Sequence, residues 1–133
     1  MHVYNDWGIR RNIPSWLDEG LAIQTATRLY CGPKHQSDAF RIGDREYEDI
    51  REGRQPLRPD IGGAHRIGSL FFIGIERDYG CAADCVARIW NRLANLYTED
   101  AKGFVIPNSE IKRVTEAVVG RDVSALFALL ELQ

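Results

Sequence analysis

Cysteine is scarce in this chain and odd in number. Cys31, Cys81 and Cys85 are all there is, with no C-x-x-C pair, so neither a disulfide-framed scaffold nor a zinc ribbon fits. Cys81 and Cys85 stand one turn apart at the edge of an apolar helical face, and a single turn of helix is a poor place for a disulfide. Free, partly buried thiols are the expectation, which favours a reducing compartment. Long apolar runs are missing too: nothing approaches the roughly 20 residues that a bilayer-spanning helix needs. The opening "MHVYNDWGIRRN" holds no apolar signal-peptide segment. Excess charge of either sign is lacking. A net charge of −2 gives no electrostatic footprint for nucleic acid or an anionic membrane. Internal repeats, low-complexity tracts and linkers are absent, so residues 1–133 read as one domain.

What is present is helical periodicity. With 44% apolar residues the chain can fill a core. The stretch "IPSWLDEGLA", residues 13–22, opens a helix over about 15–30, with Ser15 as N-cap answered by Asp18. Trp16, Ala22, Ile23, Ala26, Leu29 and Tyr30 share one broad arc, with Leu17 and Leu21 in a smaller strip beside it. "CGPKHQSD" then breaks the chain, and residues 37–64 are irregular and highly charged, with room for one short helix before Pro56. "HRIGSLFFIGIERDYG" is apolar nearly all round in its middle, as a central helix is, and Gly80 ends it. "CAADCVARIWNRLANLY" is amphipathic, with Ala82, Val86, Ile89, Trp90, Leu93, Leu96 and Tyr97 on one side. "FVI" suits a short strand. Asn108 or Ser109 caps the next helix, Gly120 ends it, and Asp122 caps the last. The fold class is mainly α, with about five helices.

Glu19 breaks the first pattern, lying near the middle of the apolar arc. A buried lone carboxylate costs several kcal/mol, of order 3–5 when its partner is missing, unless it is paired, hydrogen-bonded or bound to a metal. An arginine partner, or a helix that is only half covered, is the ordinary answer.

A second answer comes from a family. "IPSWLDEGLA" resembles the W-L-x-E-G-x-A segment of gluzincin zinc metallopeptidases of the peptidase MA-like kind. The resemblance implies that Glu19 is a zinc ligand, after a helix carrying H-E-x-x-H. "MHVYNDW" looks like the end of that helix and makes His2 another ligand. "AHRIGSLFFIGIERDYG" is similar to the family's Y-x-x-G helix: Gly68 matches the glycine, and His65 stands where the family has a tyrosine that donates to the oxyanion. "EAVVGRDVSALFALLE" is similar to the family's closing helices. The fold implied is the C-terminal helical lobe of a zincin, with Zn as the metal and a peptide or protein as substrate.

The chain departs from the family where chemistry needs it most. The first His and the Glu of H-E-x-x-H would precede Met1, so the general base and one metal ligand are missing. The expectation is an N-terminally incomplete peptidase domain: zinc-dependent peptide hydrolysis in an intact protein, none by these residues alone. The competing class is a non-catalytic helical module that binds a protein, or itself, through an apolar cleft. A helix–turn–helix reading of "SEIKRVTEAVVGRDVSALFALLE" fails, because the second helix offers Ala, Leu and Phe where DNA needs basic and polar side chains. His35 reads as solvated, Asp6 as a loop acid, and Trp16 as a core residue that also walls the site.

Overall fold

The computed structural model describes residues 13–30, 43–58, 60, 63–96 and 105–132, and their side chains except over 23–30. Helices α1 (Ser15–Tyr30), α2 (described over 43–51), α3 (Gly63–Tyr79), α4 (Ala83–Leu96), α5 (Asn108–Val119) and α6 (Ser124–Leu129) account for the regular structure. The chain is thus mainly α, as its periodicity predicts, with no strand among the described residues. Val105 and Ile106 of the expected "FVI" strand are irregular, Val105 exposed and Ile106 buried; Phe104 lies outside the described residues.

α3 is the central element. Ile67, Leu70, Phe71, Phe72, Ile73 and Ile75 are buried on all its sides, so every other layer can pack on it. α1 crosses it along the longest interface, while α6 lies against Gly74, where an added Cβ would stand 2.7 Å from Leu126 Cδ1 and 2.9 Å from the Tyr47 ring. α4 packs on α5 through Ile89, Trp90 and Leu93; Leu96, expected on that face, is half exposed, and Tyr97 lies outside the described residues.

Four rings knot the centre. Trp16 meets Phe71 at 4.9 Å and Phe127 at 6.3 Å, and Phe71 meets Phe72 at 5.2 Å and Phe127 at 5.6 Å. All are edge-on, the arrangement the ring quadrupoles favour.

α2 accounts for the charged stretch that the sequence leaves unassigned. Its acids answer the arginines of α3: Glu46 pairs with Arg66, and Glu48 with Arg77 at 3.3 Å. In return Asp78 accepts hydrogen bonds from Tyr47 O–H and Arg51 Nη1, both at 2.5 Å. Apolar residues of the helix are few but deep, Tyr47 at 2% and Ile50 at 5% exposure. Polar on three sides, the segment carries no clear helical period. Its helix is made by its partner.

Burial first, and the hydrogen bond to Asp78 second, hold the Tyr47 phenol far above the ordinary value near 10. Burial also raises Tyr79, with the Arg121 guanidinium opposing it from 4.8 Å over the ring. A phenol whose pKa is raised on folding contributes stability that is complete below pH about 10 and is lost as pH rises toward the folded-state value. The urea midpoint is therefore expected to hold from pH 8 to about 10 and to fall above it. Tyr47→Phe should lose about 1 kcal/mol at neutral pH, for one hydrogen bond, and show a shallower alkaline fall. Equal slopes for both proteins in urea titrations from pH 8 to 11 would remove Tyr47 as the cause.

Three helix starts differ from expectation. Ser15 is the first helical residue rather than the cap; the Pro14 carbonyl accepts from Asp18 N–H at 3.2 Å. Pro107 takes the position before α5, with φ −68° and ψ 154°, and its carbonyl accepts from Ile111 N–H at 3.2 Å. Proline cannot continue a helix backward, so both chains turn there. Val123, not Asp122, is the residue before α6 and makes no side-chain capping bond; Asp122, one place earlier, accepts from Ser124 N–H through Oδ1 at 2.7 Å.

The cysteine expectation is corrected. Cys81 and Cys85 form a disulfide. Cys81 is not on the helix: α4 begins at Ala83, and the turn before it brings the two Cα atoms to 5.0 Å, within the range a disulfide spans. The argument for a reducing compartment loses its basis with the free thiols.

Candidate functional site

The site begins with two glycines. Gly20 of α1 and Gly68 of α3 face each other so closely that a Cβ on Gly20 would stand 2.5 Å from Gly68 Cα. A Cβ on Gly68 would run into Gly20 Cα at 2.5 Å and, closer still, into the Trp16 carbonyl oxygen. Only hydrogen fits at either position, and the backbones touch. Leu17, Leu21 and Trp16 from α1 and Ile67 and Phe71 from α3 are buried in the same core cluster.

Residues flanking this crossing are brought together. Glu19 precedes Gly20, and His65 lies one turn before Gly68. His65 Nε2 donates to Glu19 Oε2 at 2.8 Å. The Glu19 side chain is 30% exposed and the His65 side chain 62%. Glu19 therefore sits at the rim of the crossing rather than beneath it, and its partner is an imidazole, not the expected arginine. The buried stripe of α1 runs instead through Trp16, Leu17, Gly20 and Leu21. At these exposures the ion pair stabilises by at most about 1 kcal/mol. A pair so weakly stabilising is not what holds the helices together; the glycine contact and the rings are.

Trp16 performs as a core residue. Its Nε1–H donates to Asn108 Oδ1 at 2.9 Å, tying α1 to the start of α5. Asn108, expected as a cap, is instead the first helical residue after Pro107, and its side chain serves this long-range bond. The sequence reading missed Gly20 and Asn108. Gly20 had a signal, a small residue beside the apolar strip; Asn108 had none, because its partner lies 92 positions away.

His2, the second expected zinc ligand, lies outside the described residues, as do Asp6 and His35. Among the described residues no group of three or more His, Cys, Asp or Glu side chains is placed to hold a metal ion. A catalytic zinc takes three protein ligands and a water, so Glu19 and His65 alone do not make a zinc site. What they make is a carboxylate–imidazole pair at an accessible rim. It can hold a proton, orient an imidazole, or contribute one carboxylate to a larger donor set.

A separate cleft of about 230 Å³ lies between α2, the end of α3 and α6, lined by Tyr47, Arg51, Asp78, Tyr79, Leu126 and Leu129. Asp78 binds both Tyr47 and Arg51 there, leaving an apolar floor of modest size. Among the described residues no helix is long and apolar enough to cross a membrane. Compared with known proteins, the chain matches no family model, no curated protein and no solved structure.

Proposed function

We propose that this chain is a gluzincin-like helical lobe contributing Glu19 and His65 to one wall of a peptidase cleft that residues preceding Met1 complete. The observation carrying the reading is the juxtaposition itself. The two segments that resemble the family, "WLDEGLA" and "HRIG", lie far apart in sequence, yet they cross at Gly20 and Gly68 and set Glu19 against His65 at 2.8 Å.

In this reading Glu19 and His2 are zinc ligands, and His65 is the donor to the oxyanion. A bound zinc would supply the Lewis acid and the activated water of hydrolysis. The chain's own residues do the positioning: the glycine contact fixes the separation of α1 and α3, and Glu19 orients the imidazole through Nε2. In this reading the general base and one metal ligand lie upstream of Met1, so these residues alone are expected to hydrolyse no peptide.

The coding sequence immediately upstream of Met1 is the first test, with His-Glu-Xaa expected in frame. The extended protein should then carry one zinc per chain by atomic absorption. Glu19→Gln should weaken zinc binding by about 100-fold or more, above the range for residues that only support a ligand. A stop codon or unrelated upstream sequence, or zinc binding indifferent to Glu19→Gln, ends the peptidase reading. The pair is then a surface ion pair, and the helical binding module stands in its place.

A further inference from the structure

The corner between α3 and α4 carries the disulfide. α3 closes on Gly80, whose φ of 68° lies in the left-handed region. Gly80 N–H donates to the Glu76 carbonyl at 3.1 Å, the single bond of a left-handed helix ending, and Cys81 N–H reaches back to the Ile75 carbonyl at 2.9 Å. Cys81 is thereby fixed by its backbone, and it is buried at 1% exposure. Ala82 follows as the residue before α4, its carbonyl accepting from Val86 N–H at 3.0 Å. A methyl side chain cannot accept from the first-turn N–H groups, so this helix starts without a side-chain cap from that position. Ala82, Ala83 and Asp84 are exposed. Cys85, in the same first turn, is buried at 8% exposure and bonded to Cys81.

The disulfide thus ties a poorly capped first turn to a rigid helix end. Farther along, Ile89, Trp90 and Leu93 of α4 are buried in the core. We propose that the Cys81–Cys85 bond is a redox latch on the start of α4: a dithiol reductant that cleaves it frees the first turn while the core keeps its packing. In the step, one thiolate of the dithiol attacks a protein sulfur and breaks the S–S bond. The second thiolate then displaces the mixed disulfide. The reductant leaves as its own cyclic disulfide, and two electrons and two protons end on Cys81 and Cys85. Entry is through local opening of the exposed turn. The freed thiols behave as small apolar groups that can return to the same places, so the change is reversible.

The experiment uses the full chain, before and after dithiothreitol and again after reoxidation with oxidised glutathione. Two of the cysteines are in the bond, so alkylation in urea should gain two labels, on Cys81 and Cys85, when the protein is reduced first. Amide exchange over residues 86–89 should then speed up about tenfold or more on reduction, and slow again on reoxidation, while amides over 111–119 stay unchanged. Labels on Cys81 and Cys85 before reduction would overturn the proposal, because the bond is then not formed. Unchanged exchange over 86–89 would overturn it, since the bond then latches nothing. Acceleration throughout the chain would overturn it as well, by making the disulfide a global staple.

Discussion

Phe71→Ala is expected to cost about 4 kcal/mol, within the range for removing a buried aromatic ring. Phe71 is fully buried, and it meets Trp16, Phe72 and Phe127, three edge-on contacts at one residue. Each such contact adds about 0.5–1.5 kcal/mol beyond the area it hides. The three partners come from α1, α3 and α6, so none can relax into the void without leaving its own helix seat. Since domains of this kind hold about 5–15 kcal/mol in all, the variant should be folded only marginally. Phe71→Leu keeps most of the volume and should cost less than about 1.5 kcal/mol. Urea unfolding of the two variants checks this. A loss for Phe71→Ala near that of Phe71→Leu would mean that the ring knot contributes area and little else.

How much of this was legible in the residues differs from helix to helix, for physical reasons. α3 could be read from its nearly unbroken apolar middle, because a central helix buries every side, and the structure buries Ile67, Gly68 and Leu70 through Ile75 accordingly. α4 could be read from its two faces, and Ile89, Trp90 and Leu93 are indeed inside. α2 was legible only as room for a short helix, since its stabilising partners are arginines and an acid on another helix, and no periodicity within 43–51 records them. The disulfide was read wrongly because the sequence does not show that the helix begins two residues after Cys81. Glu19 is the instructive case. Its apolar neighbours suggested deep burial, yet the true contact face runs through Gly20, a residue that adds nothing to a hydrophobic pattern. A glycine leaves no apolar signal where it packs best.

Gly68→Ala should destabilise by about 3 kcal/mol, at the upper end for overpacking, and the sign is the informative part. In an open helix the same change stabilises by about 1 kcal/mol, because alanine is the better helix former. Here the added methyl would meet backbone atoms, Gly20 Cα at 2.5 Å and the Trp16 carbonyl oxygen. Backbone cannot rotate aside as a side chain can, so α1 and α3 must separate or slide. Gly74→Ala is the matched comparison on the same helix. Its Cβ would meet Leu126 Cδ1 and the Tyr47 ring, which can shift, so a cost of about 1 kcal/mol, the lower end for overpacking, is expected. Any separation of α1 from α3 also moves Glu19 away from His65, because each is attached to its helix beside the contact. Loss of the 2.8 Å pair should follow in the Gly68 variant and not in the Gly74 variant. The imidazole chemical shifts of His65 at one fixed pH report that directly, and urea unfolding gives the cost. A neutral or stabilising Gly68→Ala would show that the helices cross farther apart than these glycines allow. The geometry that joins the two family-like segments would then fall with it.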